Sequence, residues 1–240
     1  MNTMKFTLMA LLTALVAGLS SCFDDFGIEG NGRLQTEERD AVYFDQVSSS
    51  GSFQVYVLPG DEPSIEVTAE SNLLPYIETQ IDGNQLTIKT KRSRNLNNKF
   101  PIEIYLFSPQ VKQLQLSGSG LIETGHLEAE RFEVSVSGSG KIKASVDAGE
   151  LKAILSGSGQ INLNGQCSHS EMRISGSGKI ASYHLEQEDC QMTISGSGEA
   201  LVNVSHTLDV NISGSGNVRY INTPVIHSNI SGSGKVINDN

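Results

Sequence analysis

Recurrent serine hydroxyls, scattered carboxylates, five histidines and three cysteines are the groups in this sequence that could do chemistry. Nucleophilic hydrolysis by serine calls for a Gly-x-Ser-x-Gly elbow and a nearby histidine. The serines of a repeated Ser-Gly-Ser-Gly tetrapeptide have neither, so they read as turn formers and outward hydroxyls. Ser137, Ser139, Ser156, Ser158, Ser175 and Ser177 are the candidate binding ladder. Cleavage of a polysaccharide calls for clustered acids, or Arg and Lys beside a metal, on one face. Glu123, Asp147, Glu171, Glu199 and Asp209 share no common offset from the tetrapeptide, and Glu186, Glu188 and Asp189 read as a solvated corner. His126 and His184 each lie nine residues after a tetrapeptide start. Three windings separate them, about 14 Å at roughly 4.8 Å per strand, too far to share a metal. No catalytic residue, metal site or cofactor is predicted.

Those serines must be positioned by something regular. The tetrapeptide starts at Ser117, Ser137, Ser156, Ser175, Ser195, Ser213 and Ser231, intervals of 18 to 20 residues. Around one copy, Val134, Val136, Gly138, Gly140 and Ile142 share one parity, and Ser135, Ser137, Ser139 and Lys141 the other. A period of two is the mark of a half-buried strand. Glycine therefore faces inward, where a Cβ would collide at a sharp bend, and serine faces water. A unit of about 19 residues made of short strands cannot bury its apolar face alone, but stacked units share a core. The expected fold is all-β: a right-handed parallel β-helix (β-solenoid), with equivalent serines in rows. An antiparallel meander using each tetrapeptide as a hairpin turn is the rival. A membrane β-barrel is excluded by outward Ser, Lys, Glu and Asn.

Cys167 and Cys190 fall 11 and 15 residues after their tetrapeptide starts. Four residues out of register is roughly 13 Å along a strand, beyond the reach of about 7 Å between Cα atoms that a disulfide allows. Two free, buried thiols are expected.

Residues 1–22 read as a secretory signal, with Lys5 ahead of the apolar stretch Leu8 to Leu19, which is too short to span a bilayer. Leu19-Ser20-Ser21-Cys22 resembles a lipobox. That resemblance implies cleavage before Cys22 and a diacylglycerol on its thiol, a firm anchor to the membrane. Losing Lys5 takes the net charge from −10 to −11, an acidic body unsuited to nucleic acid or to anionic lipid, with one contrary basic patch at residues 89–99. Residues 23–42, polar and acidic, read as a flexible tether. Asp24 and Asp25 look like a surface-export signal.

Residues 43–116 read as strands punctuated by Pro59-Gly60-Asp61 and Asp82-Gly83-Asn84, an irregular N-terminal cap. Ser50-Gly51-Ser52 is a degenerate copy of the motif, and residues 117–240 form the regular solenoid. Asn238-Asp239-Asn240 could cap the far end by hydration. Lys89, Lys91, Arg92, Arg94 and Lys99 form a basic patch, either a solvated strand face or a dock for an anionic glycan. Few aromatics and no Trp argue against aromatic sugar platforms.

Phe44-Asp45-Gln46-Val47, Gly51-Ser52-Phe53-Gln54-Val55, Gly60-Asp61, Asn72-Leu73-Leu74-Pro75-Tyr76-Ile77 and the tetrapeptides together resemble the putative auto-transporter adhesin, head GIN domain family, over roughly residues 43–225. The resemblance implies a pectin-lyase-like β-helix exported by Gram-negative bacteria. The expected function is a lipid-anchored outer-membrane scaffold or adhesin-like protein whose partner is a glycan or an envelope or cell-surface protein. A periplasm-facing structural or regulatory accessory is the alternative, and a polysaccharide-processing enzyme is less favoured.

Overall fold

The computed structural model describes residues 27–91 and 95–240. The signal segment, Cys22, Asp24, Asp25, Arg92 and Arg94 lie outside the described residues. Chain order runs β1 (Ile28–Glu29), β2 (Leu34–Arg39), β3 (Gln46–Gly51), β4 (Gln54–Pro59), β5 (Ser64–Glu70), β6 (Ile77–Asp82), β7 (Gln85–Thr90), β8 (Leu96–Asn97), β9 (Glu103–Ser108) and β10 (Gln113–Gly118). Five long windings follow: β11 (Leu121–Gly138), β12 (Lys141–Gly157), β13 (Gln160–Gly176), β14 (Lys179–Gly196) and β15 (Glu199–Gly214). Then come β16 (Asn217–Ile221), β17 (Val225–Gly232) and β18 (Lys235–Asn238).

Alternation produces each winding. In β12, Ile142, Ala144 and Val146 are buried, and so are Leu151, Ala153 and Leu155. The buried parity switches across Asp147–Glu150, where the chain turns a corner without leaving extended conformation. One such loop buries little by itself. Stacked in parallel, the loops align Ile104, Val55, Ile122, Ile142, Ile161, Ile180, Ala200, Val218 and Val236 in one inward column. Each aliphatic side chain so buried contributes about 1.5–3 kcal/mol. The result is a right-handed parallel β-solenoid of about seven coils spaced about 19 residues apart, 74% strand. The meander is ruled out by parallel pairing from β10 through β18.

The N-terminal part is not threaded in sequence order. β3 lies parallel between β7 and β10, and β4 lies parallel between β9 and β11. The first coil made is thus the second in the stack. Position 117 marks where the full tetrapeptide begins, not where the rod does. β6 closes the end antiparallel to β7, and β2 and β5 cover it antiparallel to one another, with β5 on β9.

Two expectations need correction. Residues 28–39, inside the expected tether, are built into the cap as β1 and β2. Glu70 holds them: its carboxylate accepts hydrogen bonds from the Gly32 and Lys99 amides at 2.6 and 2.8 Å. Burial pushes Glu70 up, but the amides of Lys99, Gly32 and Phe100 outweigh it and hold the group below its ordinary value. At the other end hydration is not the only cap. Asp239 accepts two bonds from Arg219 and one from Tyr183, each 2.7 Å. Burial and then Asp239 push the Tyr183 phenol up to about 12, so it remains a donor.

Candidate binding edge

The tetrapeptide turns the chain with two glycines doing different jobs. Gly176, the first glycine of its copy, has φ +121, and a Cβ there would meet the Gly157 carbonyl oxygen at 2.5 Å. Gly159, the second of its copy, is buried, and a Cβ would meet the Gly140 oxygen at the same 2.5 Å. Adjacent coils therefore touch backbone to backbone at this edge. The Ser158 amide donates to the Gly138 carbonyl at 3.0 Å, as does Ser177 to Gly157. The inward glycine expectation holds, with the refinement that the first glycine sits at the bend itself.

This packing sets the serines outward in a continuous row. Ser50, Ser117, Ser137, Ser156, Ser175, Ser195, Ser213 and Ser231 pair rung to rung. Ser139, Ser158 and Ser177 form part of the second row. All tetrapeptide serines are exposed. Among the described residues, none of their hydroxyls bonds to the protein. An ordinary turn-forming serine bonds its own backbone; these do not. Eight rungs cover about 34 Å at ~4.8 Å each. Pairing slips between Glu123 and His126, Asn162 and Asn164, Ser182 and Glu186, and Gln187 and Asp189, but nowhere within the tetrapeptides.

Elsewhere the outward face is a lattice of charge pairs between coils. Glu123 meets Lys143 at 3.0 Å, Glu199 meets Lys179 at 2.8 Å, and Asp209 meets His227 at 2.9 Å. Glu171 pairs with Arg173 in its own coil at 2.6 Å. His126 and His184 do share one column, through Ser145 and Asn164. Asp147 has an acidic neighbour in register, Glu128, that sequence offsets concealed. With Glu130, Glu186 and Glu188 these line a trough of about 1060 Å³.

Asp189 lies in a strand rather than a corner loop, between His169 at 3.3 Å and His206 at 2.8 Å from neighbouring coils. The Thr207 hydroxyl and His206 hold its carboxyl below the usual value, against burial. The bulges explain why this trio escaped sequence reading: His169 and Asp189 fall 13 and 14 residues after their tetrapeptide starts. Thr207 and Asp189 both approach His206 at Nδ1, so the ring is not set up to relay a proton from hydroxyl to carboxylate. Among the described residues no group of three or more His, Cys, Asp or Glu could hold a metal.

Cys167 and Cys190 are free and buried. Cys167 pairs with Gln187, so the thiols stand three residues out of register, a bulge having absorbed one. Burial pushes each thiol up to about 12, with Cys190 adding to the rise at Cys167. Gln187 fills the inward column beside Cys167, and its amide accepts from Ser170 Oγ at 2.6 Å.

Comparison with known proteins follows the architecture. The family model described as "Putative auto-transporter adhesin, head GIN domain" matches residues 43–224. A solved "putative lipid binding protein" from Parabacteroides distasonis is 26% identical, with TM-score 0.75, covering 89% of this chain and 99% of its own. A solved "putative adhesin" from Bacteroides fragilis is 18% identical, with TM-score 0.82, covering 88% and 100%. Another, from Parabacteroides merdae, is 22% identical, with TM-score 0.70, covering 89% and 99%. The last two likenesses concern the fold alone. No curated protein matches the chain.

Proposed function

The chain belongs to the putative auto-transporter adhesin, head GIN domain family, and from that premise we propose a lipid-anchored cell-envelope β-solenoid that binds an extended partner along its serine edge, in an adhesin-like role. Cys22 carries the anchor in this reading and the outer membrane receives it. No described helix is long and apolar enough to cross a membrane.

One observation carries the choice of edge: its hydroxyls stand in register over eight rungs without internal partners. Its dimensions favour the kind of partner. Two rows about 34 Å long and about 7 Å apart cover roughly 240 Å², well below the ~800 Å² per side of a standard protein interface. A single glycan strand fits such a strip better than a globular protein. The absence of charge within the tetrapeptides favours a neutral glycan. Each hydroxyl bond contributes only about 1 kcal/mol, so affinity comes from repetition along the strand.

The test is glycan-array binding by the native chain and by a Ser139→Ala, Ser158→Ala, Ser177→Ala variant. Binding should fall while thermal stability stays unchanged, because no internal bond is lost. Undiminished binding by the variant defeats the serine edge. Protease shaving of intact cells decides orientation: cleavage means a surface protein, and protection a periplasm-facing accessory. Turnover on a panel of acidic glycans would revive the enzyme reading.

A further inference from the structure

The serine row does not end at Ser50. The next position toward the N-terminal end of the stack is Lys89, in register with Ser50. There the tetrapeptide corner gives way to residues 89–99, a segment holding five basic residues and no acid in a chain of net charge −10. Residues 92–94 lie outside the described residues, so the surface considered is that of Lys89, Lys91 and Lys99. Lys91 and Lys99 are exposed; Lys89 pairs with Glu78 at 3.5 Å. Two apolar side chains stand exposed at the same end, Phe100 at 43% and Leu34 at 53%. Glu70 gathers their strands, gripping the Lys99 amide on one side and Gly32 on the other.

The chain also enters at this place. β1 pairs in parallel with β8, and Gly27 lies against Asn97. Gly27 is five residues beyond Cys22, and five residues reach at most about 18 Å. Charges act over only about 8 Å in physiological salt, so a basic surface meets headgroups only if something holds it close. An anchor at Cys22 with so short a tether would do that. Acids oppose the attraction: Glu78 already pairs with Lys89, and Glu29 and Glu70 lie where the chain enters, so Lys91 and Lys99 carry it.

We infer that the N-terminal end of the rod is a membrane-facing plane, on which Lys89, Lys91 and Lys99 engage the phosphates of anionic lipid headgroups while Phe100 and Leu34 enter the interface. This rests on the lipid-anchor reading of Cys22. Each lysine near an anionic surface contributes about fivefold to binding, and Phe and Leu side chains bury at the boundary between headgroups and acyl chains. Docking stands the rod off the bilayer, with the serine row running from the membrane outward.

The test uses the acylated protein in two sets of vesicles, one of phosphatidylcholine with phosphatidylglycerol and one of phosphatidylcholine alone, neither of which carries a reactive amine. An amine-reactive reagent reads the accessibility of each lysine by peptide mass. Lys91 and Lys99 should label several-fold more slowly on anionic vesicles, with the protection lost in high salt. Lys235, at the far end, should label equally on both and serves as the internal control. Equal labelling of Lys91 and Lys99 relative to Lys235 on both vesicle types overturns the docking plane. Protection by an added soluble anionic glycan, without protection by anionic lipid, overturns it in favour of that glycan. A protein that fails to float with either vesicle, its Cys22 unmodified by mass, defeats the anchor itself and the membrane assignment with it.

Discussion

Arg219 and Asp239 meet through two hydrogen bonds of 2.7 Å, joining β16 to the residue that follows β18. The same carboxylate accepts from Tyr183 on β14, two coils deeper. Three strands at the open end of the rod are thus tied by one acid.

Asp239→Asn should loosen that end. Amide exchange of residues 225–238 is expected to quicken several-fold, while β12 and β13 keep their protection; unchanged exchange at the end counts against the tie. The pH dependence has a definite sign. The Arg219 and Tyr183 hydrogen bonds hold Asp239 below its ordinary carboxylate value of 3.8. Its contribution is therefore complete above that value and lost as pH falls through the lower folded one. Exchange in the native chain should approach that of the variant in strong acid.

Two glycines of positive φ offer a matched pair. Gly83 at φ +58 has open space around it, whereas Gly176 at φ +121 faces the Gly157 carbonyl. Gly83→Ala should cost only the conformational term, about 1 kcal/mol. Gly176→Ala adds a backbone collision and should cost about 3 kcal/mol or more. Urea unfolding compares them; equal costs would show that close stacking is not what requires glycine at the edge.

Cys167 and Cys190 should be inert in the folded protein. A maleimide at pH 8 is expected to modify neither thiol natively and both in denaturant, and intact mass should show no disulfide. Rapid native labelling contradicts their burial. A Cys167–Cys190 bridge contradicts the offset between them.

Glu70→Gln should release the N-terminal strands. The neutral amide carries no charge to grip the Gly32 and Lys99 amides, so trypsin should cut at Arg33 and Arg39 well before it cuts the rod. In the native chain, the amides of Lys99, Gly32 and Phe100 prevail over burial and hold Glu70 below 4.5. Amide-exchange protection of residues 32–39 should therefore be full above that value and fall away only in stronger acid. Equal resistance of variant and native chain at neutral pH would remove the grip.

The rod was legible wherever its determinants are local. Ile142, Ile161, Ile180, Ala200 and Val218 follow their tetrapeptides at a fixed interval, and alternation alone points them inward. Placing β3 and β4 between later strands was not legible, because a parallel strand carries no local mark of its partner. Leu34–Arg39 reads Leu-Gln-Thr-Glu-Glu-Arg, with no apolar alternation; antiparallel pairing with β5 makes it structure, and the Gly32 amide on Glu70 fixes its start. For the edge, serine spacing sufficed. His169, Asp189 and His206 converge only after bulges shift the count.

The slips in pairing have a further meaning. Windings of unequal length tolerate inserted or deleted residues on their far limbs, while the corner that bears the hydroxyls keeps step. Descendants of such a chain can gain or shed whole turns by duplication and loss, lengthening or shortening the row of hydroxyls without retuning its pitch. The length of the row and the outline of the far limbs are thereby free to evolve separately.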